Sequence, residues 1–282
     1  MQHTAHRTSA SILHHPLPPL QQQHARRFGE VLTGYHTAAV AFSGGVDSSV
    51  VLALAIRTLG SGNVTAVLGV SPSLARAERA GAHQVAERIG AQLVEVETQE
   101  MNDPNYVANG ADRCYFCKHE LYTRTTTEVV NLTGADVLLN GDTADDAVRS
   151  DRPGRRAADE LGVRSPLVEA SLGKREVRGQ ARALDLPVWN KPSSPCLASR
   201  IPRAVPVTLT RLNDVERAEA ALQQLGLRQL RVRHGGHTAR VELGPEEHSR
   251  LADPRLRAGL VEAVKVAGFA AVEIADQPLR RD

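Results

Sequence analysis

The stretch Val40-Ala41-Phe42-Ser43-Gly44-Gly45-Val46-Asp47-Ser48-Ser49 constrains the fold more than any other, because an apolar strand ends there in a short, glycine-paired loop that opens into a helix. Two glycines let the backbone turn its N–H groups toward one point. The positive end of the following helix faces that point, and the hydroxyls of Ser43, Ser48 and Ser49 are expected to add donors. Such a loop cradles phosphate. The Walker A pattern is excluded, since no Gly-Lys-Ser/Thr follows, and the chain is expected to lack a lysine that holds the β- and γ-phosphates.

From about residue 37 the chain alternates short apolar runs with amphipathic ones. Ala38–Phe42, Val64–Val70, Gln92–Glu97 and Val137–Asn140 read as strands. Ser48–Leu59, Leu74–Ile89, Lys118–Asn131 and Lys174–Leu184 read as helices, the first carrying Val50, Val51, Leu54 and Ala55 at helical spacing. Strands separated by helices imply an α/β fold with a doubly wound parallel sheet, whose ligands sit beyond the carboxyl ends of the strands, where the Ser43–Ser49 loop lies. Prolines at 192, 195, 202 and 206 then break the rhythm. Beyond them, Thr210 or Asn213 is expected to cap a helix to Leu225 ended by Gly226. Gln229–His234 and Thr238–Leu243 flank Gly235-Gly236 as a hairpin, and a helix near Pro254–Val266 and a strand Ala270–Ile274 complete a smaller α+β domain. The organisation expected is a disordered His/Pro-rich tail over 1–24, a nucleotide-binding domain over 25–190, a cysteine-bearing linker over 191–208 and a small domain over 209–282.

Arginine carries nearly all the positive charge: only four of the 34 basic residues are lysines, at 118, 174, 191 and 265, and the formal net charge is +2. With no basic block interleaved with aromatics, an extended single-stranded nucleic-acid platform is not expected. No apolar run approaches the roughly 20 residues that span a bilayer. The amino end, with His3, His6, His14, His15 and Pro16-Leu17-Pro18-Pro19, lacks the apolar core of a signal peptide, so a cytoplasmic location is expected.

The chain has three cysteines. Cys114 and Cys117 form a Cys-x-x-Cys pair in Arg113-Cys114-Tyr115-Phe116-Cys117-Lys118, and Cys196 stands alone in Pro195-Cys196-Leu197-Ala198-Ser199-Arg200. A two-residue spacer lets both sulfurs turn toward one metal. Three thiolates suit a zinc completed by a histidine, or an iron–sulfur cluster with one iron left open to carry an exchangeable sulfide. A redox pair or plain helix-start residues, with Cys196 as a small apolar packer, is the other reading of the same spacing.

The Ser43–Ser49 string resembles the SGGxDS signature of the PP-loop ATP pyrophosphatases, which cleave ATP between its α- and β-phosphates and leave AMP on a substrate oxygen. Further stretches narrow the resemblance: Asn105-Tyr106-Val107-Ala108-Asn109 leading into Arg113–Lys118, Gly141-Asp142-Thr143-Ala144-Asp145-Asp146, Arg152-Pro153-Gly154-Arg155, Arg164-Ser165-Pro166-Leu167 and Pro195–Arg200. Together, over roughly residues 25–275, they resemble the LarE-type sulfur transferases of that superfamily. The resemblance implies adenylation of a carboxylate of pyridinium-3,5-biscarboxylic acid mononucleotide, then replacement of oxygen by sulfur, in building a nickel-pincer nucleotide cofactor. Members with a lone cysteine matching Cys196 give up its sulfur and leave dehydroalanine. Members with the three-cysteine pattern present here carry a [4Fe-4S] cluster supplied with sulfide by a donor.

By the same resemblance, Gly44, Gly45, Asp47 and Ser48 hold the ATP phosphates with Ser43 at the loop entrance, and Asp47 works through Mg²⁺. Gly69, Val70 and Ser71 contact adenine, with Gly141 and Asp145 beside the loop. Ser199, Arg200, Arg231 and Arg233 meet the substrate phosphate, Glu219 and Glu242 hold a divalent cation, and Cys114, Cys117 and Cys196 bind the cluster. A homo-hexamer is implied. Arg231 and Arg233 fall on one face of a strand because side chains alternate, and a forked pair of guanidiniums suits a phosphate. The chain departs from the family pattern at Ile201-Pro202-Arg203-Ala204-Val205, where an aromatic-plus-glycine turn is common. Competing readings are a PP-loop tRNA thiolase, an amide-forming PP-loop ligase such as an NAD synthetase, and a nucleotide-binding sensor with zinc at the thiols.

Overall fold

In the computed structural model, which describes residues 15–148 and 153–279, the wholly apolar run Ala38–Ala41 forms β1, with Ala38, Ala39 and Val40 fully buried. Burial of this kind is what a central parallel strand requires. Val64–Val70 (β2) lies on one side of β1 and Gln92–Glu97 (β3) beyond it, while Val137–Leu139 (β4) lies on the other side, giving the parallel order β3-β2-β1-β4. The chain thus builds outward from β1 twice in one direction and then crosses to its far side. That reversal creates a switch point between β1 and β4, at the carboxyl ends of both strands. Arg164 extends the β4 edge, its N–H donating to the Leu138 carbonyl and its carbonyl accepting from Asn140 N–H.

Helices flank this sheet: Val46–Leu59 (α2), Arg76–Ile89 (α3), Arg113–Thr125 (α4), Pro153–Glu160 (α5) and Lys174–Ala183 (α6). Helix α2 is buried almost all round, from Val50 to Ile56, which fits its near-continuous apolar sequence. Helix α4 runs on through a π-helical turn over Thr126–Val130, where Thr125 and Thr127 return their hydroxyls to the carbonyls of Leu121 and Thr123. The tail expected as far as residue 24 is helical from Pro19: Pro19–Val31 (α1) forms a helix with proline in its first turn, anchored by the buried Phe28 and His24. Only two of its side chains are buried, so its apolar signal is weak. His3, His6 and His14, and Ser150–Arg152, lie outside the described residues.

The chain divides into two compact units. The first holds the parallel sheet and comprises residues up to Ser71, Arg76–Glu100 and Cys114–Lys191. The second comprises Pro72–Ala75, Met101–Arg113 and the residues from Pro192 on, which takes in all but the first residue of the stretch expected as a linker over 191–208. Its sheet is the hairpin Leu230–Gly235 (β5) and Thr238–Leu243 (β6), with Ala271–Ile274 (β7) parallel to β6, in the order β5-β6-β7. Leu209–Gln224 (α7) and Pro254–Val266 (α8) cover one face, packing Ala218, Leu222, Leu260 and Val264 against Val232, Ala239 and Val241. Helix α7 is capped by the Thr208 hydroxyl, which accepts from Arg211 N–H; the cap falls at neither Thr210 nor Asn213. Both expected sheets are present, a four-stranded parallel one flanked by helices and a smaller carboxyl-terminal one. No described helix is long and apolar enough to cross a membrane.

Two glycines show what the phosphate-loop backbone demands. Gly44 has φ of 67°, and a Cβ there would lie 2.7 Å from the backbone Cα of Ala82 in α3; Gly34, at φ of 91°, has open space around it. Gly34→Ala carries only left-handed strain, about 1–2 kcal/mol. Gly44→Ala adds a backbone collision worth about 1–3 kcal/mol more. Denaturant titration of both variants should rank Gly44→Ala as clearly less stable, and equal losses would mean that α3 is not tight against the loop.

Candidate functional site

The phosphate loop is built by its own hydroxyls. Ser43 N–H donates to Ser48 Oγ at 3.2 Å, the two serine hydroxyls lie 3.1 Å apart, and Gly45 N–H reaches Ser43 Oγ at 3.3 Å. Ser49 Oγ donates to the Gly45 carbonyl at 2.6 Å and is fully buried. The three hydroxyls expected to face a ligand therefore brace the turn. What faces outward is backbone: Gly45 is the N-cap of α2 and no side chain caps that helix, so its first N–H groups and its dipole are available to an anion.

Gly141, immediately after β4, lies against the start of α2. A Cβ on it would be 3.0 Å from Ser48 N and 3.2 Å from Ser48 Cα, so any side chain there would push the two loops apart by a few tenths of an ångström. Asn140, beside it, is 2 % exposed, and its Nδ2 has no hydrogen-bond partner among the described residues although its Oδ1 accepts from Asp142 N–H. A bound polar group or a water would satisfy it. Ser71 directly follows β2, which places it at the same end of the parallel sheet as Ser43 and Gly141.

Lysines supply the charge that the loop sequence lacks. Lys174 Nζ is 2.7 Å from Asp47 Oδ2 and 3.3 Å from Asp146 Oδ2. Its backbone N–H is held by Asp145, and Asp146 also accepts from Thr143 N–H and Oγ1 in a capping box. Burial lowers the Lys174 pKa, but the hydrogen bond and charge of Asp47, then Asp146, hold it above the usual lysine range, so it is cationic at neutral pH. Lys191 Nζ bonds Glu78 Oε2 at 2.7 Å and the Gly44 carbonyl at 3.4 Å. Lys118 Nζ stands 5.4 Å from the centre of the Tyr122 ring; Tyr122 raises its pKa most, burial opposes, and Asp142 and Cys117 add to the rise. Three of the four lysines in the chain thus gather near the switch-point loops. None is visible as a motif, because Lys174 lies 127 residues from the aspartate it meets.

In the second unit, Cys196 is exposed and begins the short turn Leu197–Arg200. Arg200, expected on a phosphate, is only 4 % exposed, and all three of its guanidinium nitrogens are engaged within the protein. Nε and Nη2 meet the Glu219 carboxylate at 2.8 and 3.2 Å, and Nη1 donates to Pro195 O at 2.6 Å, Ser199 Oγ at 2.9 Å and Cys196 O at 3.4 Å. Glu219 Oε1 also accepts from Val232 N–H on β5 at 2.9 Å. Glu242 is the counter-ion of Arg233 at 3.0 Å, and Arg233 donates to the Ser199 carbonyl at 2.9 Å. Glu219 and Glu242, expected on a divalent cation, stand instead as partners of arginines. Arg231 and Arg233 do share a face of β5, the one turned away from α7 and α8, and Arg240 lies opposite Arg233 in the register.

Cys114 is exposed and Cys117 half-buried, one turn apart at the start of α4. Three thiols are the right donor type for an iron–sulfur cluster, and the spacing of the first two suits a shared ion. Among the described residues, however, no three His, Cys, Asp or Glu side chains are gathered as a metal-holding group.

Comparison with known proteins agrees with this geometry. Residues 32–232 match the family model described as asparagine synthase, whose nucleotide-binding part is the PP-loop fold. The chain is 37 % identical over 214 residues, 76 % of each chain, to the pyridinium-3,5-bisthiocarboxylic acid mononucleotide synthase of Lactiplantibacillus plantarum. The chain belongs to the PP-loop family, in its LarE-type branch. It is also 42 % identical to an uncharacterized protein of Synechocystis over 86 % of this chain and 88 % of that one, and 25 % identical to an uncharacterized protein of Methanocaldococcus jannaschii over 72 % and 76 %. ATP use follows from the family.

A charge-assisted hydrogen bond of the Lys174 kind is worth about 1.5–3 kcal/mol. Lys174→Met should weaken ATP binding, read by equilibrium titration, by about 10- to 100-fold, with a small change in melting temperature because Asp47 and Lys174 are partly exposed. Unchanged affinity would make the lysine a surface partner of Asp47 only.

Proposed function

We propose that this LarE-type protein adenylates a carboxylate of pyridinium-3,5-biscarboxylic acid mononucleotide and converts it to the thiocarboxylate, acting on both carboxylates in turn. The observation that carries the reading is the switch-point site: an uncapped helix end and a glycine loop beside Gly141, with Lys174 and Lys191 at its rim. The substrate comes from the identity to the Lactiplantibacillus enzyme. In the first step a substrate carboxylate oxygen attacks the α-phosphorus, the bond to the bridging oxygen breaks, and pyrophosphate leaves with its negative charge. The N–H groups of Gly44, Gly45 and Val46, with Lys174 and Lys191, stabilise that departing charge. Asp47 and Asp146 offer the hard oxygen donors that Mg²⁺ takes, and the ion would screen the phosphates when bound.

In the second step a sulfur nucleophile attacks the carbonyl carbon of the acyl-adenylate and AMP leaves. Cys196 is the thiol we assign to sulfur delivery, exposed on a turn fixed from below by Arg200. Cys114 and Cys117 in the first unit and Cys196 in the second are the donor type of a [4Fe-4S] cluster, which when bound would supply an exchangeable sulfide. Arg231, Arg233 and the Ser199 hydroxyl bind the mononucleotide phosphate, with Glu242 aligning Arg233. Ser71, Gly69 and Val70 meet the adenine.

The test is an anaerobic incubation of protein purified without oxygen with ATP, Mg²⁺, sulfide and the mononucleotide. The expected outcome is one pyrophosphate and one AMP per oxygen-to-sulfur exchange seen by mass spectrometry, over more than one turnover per chain, with Cys196→Ala forming no thiocarboxylate. A single turnover that leaves dehydroalanine at position 196 would replace delivered sulfide by the cysteine's own sulfur. Absence of pyrophosphate with this substrate would overturn the reading.

A further inference from the structure

The Cys196 turn is held by more than Arg200. Its backbone carbonyls are gripped one after another by side chains of the same unit. Asn109, fully buried, directs its Nδ2 at the carbonyls of Ile201, Pro202 and Val205 at 3.3, 2.8 and 2.9 Å. Arg113, 6 % exposed, donates through Nη1 to Ala198 O at 2.7 Å and to Asn109 Oδ1 at 2.8 Å. Ser73 O accepts from Leu197 N–H at 2.9 Å, while Ala204 and Val207 donate their N–H groups to Asn109 O and Val107 O.

We propose that Asn109 and Arg113 are positioning residues for Cys196: through their buried hydrogen bonds to Ala198, Ile201, Pro202 and Val205 they hold the sulfur-bearing turn in its reactive position. The inference rests on the reading of Cys196 as the sulfur-delivering thiol. Three observations carry it. The bonds are buried, where removing one partner strands a carbonyl and costs far more than an exposed bond. Asn109 adopts a left-handed φ of 56°, a region in which asparagine is enriched, and this aims its amide at three carbonyls at once. The segment it grips contains Ala204 at φ of 62°, a conformation that a non-glycine residue does not hold unaided. A turn so determined keeps its thiol, and the sulfur delivered through it, in one place, and orientation of the attacking group is worth large factors in rate.

The experiment compares Arg113→Met and Arg113→Lys with the unaltered protein and with Cys196→Ala. Arg113→Met should lower kcat for thiocarboxylate formation at least tenfold, with KM for ATP and for the mononucleotide within twofold and pyrophosphate release in a single turnover unchanged. Amide hydrogen exchange should rise in peptides covering 195–205 and stay the same in the parallel sheet. Arg113→Lys, able to reach one of the two acceptors, should recover much of the lost kcat. If Arg113→Met keeps full kcat while Cys196→Ala is inactive, the positioning proposal is wrong and the sulfur-delivery reading stands. Exchange that rises throughout the chain, with no recovery by lysine, makes Arg113 a stability residue and also overturns the proposal. If Cys196→Ala forms product at the full rate, the sulfur-delivery reading falls and takes the proposal with it.

Discussion

The close approach of Gly141 to the backbone of Ser48 is the contact on which the first unit depends. It exists because β4 crosses to the far side of β1, so that two loops emerge side by side at the same end of the sheet. Neighbouring loops of adjacent parallel strands form a crevice, and glycine lets this one close to backbone contact. The other parts are arranged around it. Helix α3 packs Ala82 against Gly44, the capping box of Thr143 and Asp146 fixes the loop after β4, and Asp145 holds the backbone of Lys174 so that its ammonium reaches Asp47. The arrangement thus draws on stretches of chain far apart in sequence. Within it Asp47 and Asp146 lie against Lys174, and Glu78 lies against Lys191.

In the second unit the turn that carries the exposed Cys196 is held by buried polar contacts. Arg200 and Glu219 form a nearly buried pair whose spare capacity is spent on backbone: the guanidinium on Pro195 and Cys196, the carboxylate on the outer edge of β5. A buried ion pair is a weak source of net stability, but losing one partner costs about 3–5 kcal/mol, so both residues are tied to one arrangement. Asn109 and Arg113 act on the other half of the turn. Together the four side chains fix a loop with four prolines and little secondary structure, which has no ladder of its own to define its path.

Much of this architecture is legible in the residues. β2 and β3 are read at their observed bounds because apolar runs between turn signals admit one interpretation, and Asp253-Pro254 marks the start of α8 as clearly as any cap. The helix Pro19–Val31 is not legible, since a surface helix with two buried side chains carries almost no periodic signal. The roles of arginines and carboxylates are also hidden. Arg200 has the composition of a phosphate ligand, and only the distance to Glu219 shows it turned inward. The bonds of Lys174 to Asp47 and of Asn109 and Arg113 to the Cys196 turn span 85 to 127 positions, and no local pattern encodes a contact of that range.

Whether the switch-point loop receives the phosphates of ATP is decided by a crystal structure with a non-hydrolysable α,β-methylene analogue of ATP and Mg²⁺. The expected complex has the β- and γ-phosphates at the N–H groups of Gly44–Val46, Lys174 moved from Asp47 onto a phosphate oxygen, and adenine beside Gly69–Ser71. A nucleotide bound elsewhere, or one that leaves the Lys174–Asp47 pair intact, would contradict it.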